Sequence, residues 1–194
     1  MELVRQPTVV GSRRIWMQAA GVVGFALLTT AAAQIRFYLP DSPVPVTMQT
    51  LFVLLAGMTL GARLGTASMA FYLLLGACGY HVFAGPTWQA AYLIGPTGGY
   101  LLGFVLAQPV IGWLAHRDER WTGMLAASLV GSAIIFVAGL LWLQLWTQTA
   151  VAQTLTMGLW PFIPGLAIKT AAAFAGGLAL RPVSRRFFVG PPRP

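Results

Sequence analysis

Charged side chains are scarce in this sequence, and acidic ones are nearly absent. Its 194 residues include only four Asp or Glu and twelve Lys or Arg, so 8% of the chain is charged. A soluble domain carries about 25% charged residues, which keep its surface solvated. Hydrophobic residues make up 57% of the chain, too many for a small fold to hide from water. The composition therefore excludes a soluble enzyme and a disordered chain, and it indicates a protein whose solvent is lipid.

The sequence also lacks the groups that enzymes and metal sites need. Its one cysteine, Cys78, cannot form an internal disulfide or a multi-cysteine metal site. There is no GxxxxGK(S/T) phosphate loop and no GxSxG nucleophile motif, and His81 and His116 are predicted at opposite membrane faces. We therefore predict that the chain is not an enzyme, holds no metal or cofactor and cannot hydrolyse ATP. A partner must supply the energy for any active transport.

Six apolar segments predict an all-α membrane bundle that forms a single domain over residues 1–194. A segment of about 20 apolar residues is long enough to span a bilayer as a helix. The first segment follows Arg13 and Arg14 and is typical of either a cleaved signal peptide or a first helix; its 21 residues favour an uncleaved helix. The predicted spans are residues 15–35, 47–60, 65–79, 96–115, 122–147 and 160–180.

The basic residues divide unevenly between the two sides that these spans create. With the N-terminus in the cytoplasm, ten of them fall on the inner side and Arg36 alone falls in an outer loop. This positive-inside pattern predicts six spans with both termini cytoplasmic. A net charge of +8 can also indicate nucleic-acid binding, but here the charges lie between apolar runs rather than in one patch. No nucleic-acid partner is therefore predicted.

Lys169 is the one charged side chain within the predicted spans. A charged lysine in mid-membrane costs about 2.5–3.5 kcal/mol on insertion scales. It can snorkel to the outer interface, pair with Asp41 from the first outer loop, or hold an anionic ligand such as a carboxylate. Because no acidic residue in the spans competes for it, the ligand is favoured. The same lack of acids argues against transport coupled to protons through carboxylates.

The predicted outer loops carry residues suited to a small ligand. Three prolines stiffen the first loop, residues 38–46, and lower the entropy cost of ordering it. Thr47 and Gln49 then begin an apolar run, where they can cap the helix or contact the ligand. Gly95 lies at a predicted helix start whose free N–H groups can accept an anion or a carbonyl. A small apolar pocket fits this set, whose candidate ligand residues are Asp41, Thr47, Gln49, Phe83, Trp88, Tyr92, Gly95 and Lys169.

Four stretches of the sequence carry a resemblance to a known family. They are residues 45–57 (PVTMQTLFVLLAG), 82–85 (VFAG), 92–104 (YLIGPTGGYLLGF) and 161–165 (PFIPG), followed by Lys169. These stretches resemble the BioY family, the biotin-binding S components of energy-coupling-factor transporters, and the resemblance covers most of the chain. It implies six helices in the bacterial plasma membrane, in contact with membrane lipid, and biotin bound from outside as a ligand. It also implies association with a T component and two ATPases, and it gives biotin-binding roles to Gln49, Tyr92 and Lys169.

Alternatives remain beside biotin uptake with ATPases. The family usually has an acidic residue three positions before the lysine, where this chain has Leu166. A solitary transporter of biotin or a related small carboxylate, working without ATPases, is the main alternative. An integral membrane transferase is a remote one, because an acid–base pair is lacking. A set of small first-helix residues predicts either the surface for the T component or packing inside the chain's own bundle; they are Ala26, Thr29, Thr30 and Ala33.

Overall fold

The apolar segments form long helices because a backbone without water must satisfy its hydrogen bonds internally. The computed structural model describes residues 9–85, 89–117 and 120–189. A 3-10 turn (Trp160–Phe162) precedes the last helix, and a π-helical turn (Arg185–Val189) follows it. The elements are α1 (Val9–Gln34), β1 (Arg36–Phe37), β2 (Val46–Thr47), α2 (Gln49–Ala77), α3 (Gln89–Ile94), α4 (Gly98–His116), α5 (Trp121–Thr147), α6 (Val151–Gly158) and α7 (Ile163–Ser184).

Most of the described chain is helical, as an all-α bundle requires, with one small exception. Strands β1 and β2 pair antiparallel, with Arg36 opposite Thr47 and Phe37 opposite Val46. Within the described ranges, five helical stretches are long and apolar enough to cross a membrane: Arg13–Gln34, Gln49–Ala77, Gly98–His116, Trp121–Thr147 and Val151–Val189. The chain is therefore a multi-pass membrane protein.

Helix α2 is folded back on itself at Gly61. This residue has φ 78° and ψ 177°, a backbone conformation that is essentially reserved for glycine. Tyr72 Oη lies 2.6 Å from Gln49 Nε2, although the two residues are 23 positions apart. In a straight helix that separation would be about 34 Å. Residues 49–60 (the first arm) and 62–77 (the second arm) therefore form an antiparallel hairpin, which corresponds to the second and third predicted segments.

Helix α4 packs against the turn of this hairpin without space for a side chain. A Cβ added at Gly112 would lie 2.1 Å from the backbone nitrogen of Ala62. A Cβ at Gly99 would likewise lie 2.1 Å from Cβ of Trp142 on α5. Real Cβ atoms do not approach other atoms so closely, so both positions need glycine. Small residues let these backbones approach one another, as is typical of helices packed in membranes.

Gln108 inserts a buried amide between α4 and the first arm. Its Nε2 donates to the carbonyls of Val53 and Phe104, each at 3.0 Å. Its Oε1 accepts no hydrogen bond within the described part of the chain. This oxygen lies only 2.8 Å from the position that a Cβ would take at Gly57 and 2.6 Å from the corresponding position at Gly65. The amide thus fills the space that these two glycines leave and links the arm to α4.

The described parts of three connections, residues 35–48, 78–85 with 89–97, and 148–162, lie at one end of the bundle, here called the loop end. Helices α3 and α6 are located there, and neither was predicted from the apolar segments. Helix α1 begins at Val9, before the predicted boundary at residue 15, and α7 begins at Ile163, after the predicted boundary at residue 160. The later start of α7 follows from the 3-10 turn that contains Pro161.

The small residues of α1 lie inside the chain's own bundle. Ala26, Thr29 and Ala33 are fully buried and Thr30 is half-buried. Their burial favours the second expectation for them, packing inside the chain's own bundle, and the interface role stays a prediction. On the opposite side of α1, a Cβ added at Gly24 would have nothing within 4 Å.

Candidate functional site

A cavity lies at the loop end, where the first arm, α4, α5 and α7 converge. Most of its lining is aliphatic or aromatic, and a few hydroxyl, amide and ammonium groups point to specific recognition. Three aromatic side chains come from α4 and α5, which approach closely at Gly99; the other two come from α3 and the 3-10 turn. The lining residues are Val44, Pro45, Thr47, Gln49, Thr50, Ala84, Tyr92, Thr97, Tyr100, Leu101, Phe104, Ile135, Phe136, Phe162 and Lys169.

Lys169 brings a positive charge into this cavity. Its side chain is 5% exposed, and its Nζ donates to the carbonyl of Thr47 at 2.9 Å. It therefore does not snorkel to the surface. Asp41, the one acidic residue in the described ranges, is exposed and forms no ion pair with it. An ammonium has three N–H groups to donate, and a buried charge is stabilised only when it is paired. The site is thus suited to an anion.

Gln49 is held at the cavity wall by a chain of hydrogen bonds. Its Oε1 accepts from the Thr47 hydroxyl at 2.9 Å, and its Nε2 donates to the Tyr72 hydroxyl at 2.6 Å. Tyr72 in turn donates to the carbonyl of Val82 at 3.1 Å. These bonds fix the orientation of the amide, because each of its two ends has a different partner. They also connect the second arm to the loop that begins after it.

Gln89 and two aromatic rings order that loop. Gln89 accepts from the N–H of Phe83 at 2.7 Å and donates to the carbonyl of Gly85 at 3.1 Å. The buried Phe83 ring stacks on Tyr92, with centroids 6.1 Å apart. Burial raises the pKa of the Tyr92 phenol above its usual range. The phenol therefore stays protonated and can donate a hydrogen bond to a ligand.

Two side-chain hydrogen bonds hold the first loop, residues 38–46, in place beside the cavity. The Ser42 hydroxyl donates to the carbonyl of Met157 in α6 at 2.7 Å. The Tyr38 hydroxyl donates to the carbonyl of Ala84 at 2.8 Å. Since Val44 and Pro45 line the cavity, these two bonds position its cover.

The structure brings four of the eight predicted ligand residues together around the cavity: Thr47, Gln49, Tyr92 and Lys169. Three others do not line it. Phe83 supports Tyr92 from behind, the Gly95 carbonyl accepts from the Trp142 indole N–H at 2.8 Å, and Asp41 is exposed. The prediction for Trp88 falls outside the described residues. The ligand roles of all eight stay predictions.

Several aromatic lining residues were not predicted. Tyr100 and Phe104 occur in a stretch quoted for the family resemblance, but nothing about them distinguished a cavity wall from packing. Phe136 lies in the middle of a continuous apolar run, where no periodicity marks the inward face. Phe162 directly follows Pro161 in another stretch quoted for the resemblance, at the start of the last helical region, and these two signals could have drawn attention to it.

The fold and the site define a class: a multi-pass helical membrane protein with a small, mostly apolar cavity and a buried cation at one end. The sequence model of the BioY family matches residues 7–186, and the chain belongs to this family. It is a family of transporters, not of enzymes.

Relatives in the family carry the name biotin transporter. The biotin transporter BioY of Thermotoga maritima is 39% identical over 143 residues, covering 74% of this chain and 84% of the relative. The biotin transporter BioY2 of Lactococcus lactis subsp. cremoris is 37% identical over 169 residues, covering 84% and 93%.

One solved structure has the same fold. It is the crystal structure of the S-component for biotin from an ECF-type ABC transporter, with a TM-score of 0.79 and 21% identity. The match covers 91% of this chain and 98% of the solved one.

Proposed function

We propose that the chain takes up biotin, as the substrate-binding subunit of an ATP-driven transporter. The observation that carries this proposal is Lys169, a buried cation without an anionic partner in the described part of the chain, in an apolar and aromatic cavity. Biotin combines one carboxylate with an apolar body and a polar ring, which is the complement of this lining. The names of the relatives support the same substrate.

Each part of biotin has a suitable partner in the cavity. The carboxylate pairs with the Lys169 ammonium, a charge-assisted hydrogen bond in a dry site. The aliphatic chain and the sulfur-containing ring pack on Tyr100, Phe104 and Phe136. The polar ureido group is placed by Gln49, whose amide can both donate and accept.

Leu166 occupies the sequence position of the family's usual acid, but its side chain cannot accept a hydrogen bond as the acid would. It is half-buried, packs against the hydrophobic core and is not part of the cavity lining. Acceptors for the ureido N–H groups must therefore come from elsewhere, and Gln49 Oε1 is the candidate that lines the cavity. We propose that the Gln49 amide accepts these hydrogen bonds in place of the missing acid and that biotin binding is retained.

Titration of the detergent-purified chain with biotin, followed by calorimetry, tests the proposal. We expect sub-micromolar binding with one site per chain. Valerate, which has the carboxylate and chain but not the rings, serves as the control ligand and should bind far more weakly. A well-folded sample that shows no heat with biotin would refute the proposed substrate.

We propose six membrane crossings with both termini in the cytoplasm of a bacterium: α1, the two arms of α2, α4, α5 and α7. The arrangement of basic residues supports this orientation. The first arm has 12 residues and is about 18 Å long, shorter than the hydrocarbon core of about 30 Å. This leaves the loop end, with its cavity, partly within the outer half of the membrane.

Partners that hydrolyse ATP complete the proposed transporter, because the sequence has no phosphate-binding loop of its own. Reconstitution separates this arrangement from the solitary transporter. Vesicles that contain the chain with a T component and two ATPases should accumulate biotin only when ATP is present. Uptake by vesicles that contain this chain alone would favour the solitary alternative instead.

The exposed side of α1 is the proposed surface for the T component. Ala20 is exposed, and four residues later Gly24 has open space around it, a spacing that allows close helix contact. We expect Gly24→Leu to reduce co-purification of the T component at least tenfold without changing biotin affinity. The matched control is Ala133→Leu, which adds a similar bulk on the exposed side of α5. Equal co-purification of both variants would exclude this side of α1 as the interface.

A further inference from the structure

A second cavity adjoins the first one beside Lys169. It lies between α7, the end of α1 and the two strands, and it has a volume of about 160 Å³. We call it the side cavity. Thr47 and Lys169 line both cavities. The remaining lining consists of apolar residues and one glycine: Ile35, Phe37, Val46, Met48, Gly165 and Ile168.

The two residues that line both cavities, Thr47 and Lys169, are hydrogen-bonded to each other. Lys169 Nζ donates to the Thr47 carbonyl at 2.9 Å. A ligand oxygen that accepts from the other N–H groups of Lys169 therefore sits beside the entrance to the side cavity. Ile168 and Phe37 are 70% and 68% exposed, so the side cavity also opens to the outside of the bundle.

Gly165 leaves space in the wall of the side cavity. A Cβ added there would have Lys169 Cε, at 4.0 Å, as its nearest neighbour. One helical turn separates Gly165 from Lys169, so both face the same side of α7. A larger side chain at this position would enter the side cavity rather than clash with the backbone. The two cavities can thus be altered separately.

We infer that the side cavity is a subsite for a short alkyl chain attached to the ligand's carboxyl group as an amide or ester. This inference rests on the proposed function, because it takes biotin as the ligand of the first cavity. An amide or ester keeps a carbonyl oxygen that can accept from Lys169, while the chain continues past Thr47. An apolar cavity of about 150 Å³ is known to hold a molecule of the size of benzene. The side cavity therefore accommodates about six carbon atoms.

A series of biotin n-alkyl amides, from methyl to octyl, tests the inference by competition against labelled biotin. All members lack the carboxylate, so differences within the series report only the chain. We expect affinity to increase with each methylene, by at most the factor of about four that full burial gives, and to level off near six carbons. In Gly165→Leu the increase should disappear, while biotin and the methyl amide bind within threefold of the unaltered chain.

Gly24→Leu is the matched control, because it adds the same side chain to a helix at an open position away from both cavities. It should retain the full increase with chain length. Phe37→Ala removes part of the side-cavity wall at an exposed position and should reduce the increase, which gives a second variant if Gly165→Leu does not fold.

A flat series in the unaltered chain would overturn the inference, and so would an increase that persists in both Gly165→Leu and Phe37→Ala. Binding of biotin itself separates failure of the side-cavity inference from failure of the proposed function. If biotin binds and the amides show no chain-length effect, only the side-cavity inference fails. If a folded sample binds neither biotin nor the amides, the proposed function fails and the inference fails with it.

Discussion

Replacement of Lys169 by methionine is expected to weaken biotin binding about 100-fold. Truncation of one partner of a buried, charged hydrogen bond typically costs 2–5 kcal/mol, and a loss of about 2.7 kcal/mol is a factor of 100 in Kd. Lys169 is the only charged residue among the described residues of the cavity, so no neighbouring cation can replace it. Calorimetric titration of the purified variant measures the change.

The stability of this variant provides the complementary test. Methionine fills a similar volume without a charge that must be desolvated, so Lys169→Met should melt at the same temperature or higher. The control is Arg36→Gln, which removes a positive charge at the loop end whose guanidinium contacts Gln34 at an exposed position. This control should change biotin affinity less than threefold. Similar losses in both variants would show that general electrostatic attraction, rather than the buried ammonium, binds biotin.

Replacement of Gly112 by alanine is expected to produce a large loss of stability. The new Cβ would lie 2.1 Å from the backbone nitrogen of Ala62 and 2.5 Å from its Cα. Backbone atoms at a glycine turn cannot move aside as a flexible side chain can, so α4 and the hairpin must separate. Overpacking of this kind costs about 3 kcal/mol, which corresponds to a decrease of about 10 °C in the melting temperature of a chain of this size.

Thermal unfolding of the detergent-solubilised chain measures this effect, with Gly24→Ala as the matched control. Nothing lies within 4 Å of a Cβ at Gly24, and alanine is the better helix former by about 1 kcal/mol. The control should therefore melt at the same temperature or slightly higher. A melting temperature for Gly112→Ala equal to that of the control would contradict the close approach of α4 to the hairpin turn.

Hydropathy predicted much of the fold, because each long helix must be apolar over its length. Four helices, α1, α4, α5 and α7, each overlap one predicted span; in the same order, these spans are residues 15–35, 96–115, 122–147 and 160–180. The turn between the second and third segments was marked in the sequence by Gly61 and by the charged Arg63 among apolar residues. Helices α3 and α6 were missed because they are short and lie at the loop end, where amphipathic packing rather than membrane thickness determines their length.

The site was predictable where polarity contrasts with an apolar background. Lys169, Gln49 and Thr47 stand out in such a background, and the fold brings them to one cavity. The walls made by Tyr100, Phe136 and similar residues have no such contrast, because every face of a lipid-embedded helix is apolar. The side cavity depends on how the two strands meet α7, which no local pattern encodes.

Many of the bonds that hold the loop end together run from a side chain to a backbone carbonyl. Tyr72 donates to the carbonyl of Val82, and Ser42 donates to that of Met157. Every amino acid supplies such a carbonyl, so these hydrogen bonds place no requirement on the side chains of Val82 and Met157. Packing against the hydrophobic core is what constrains those two side chains, and it asks only that they stay apolar and of similar size. Tyr72 and Ser42, in contrast, must keep a hydroxyl, because an apolar residue in either place would leave the carbonyl without its donor.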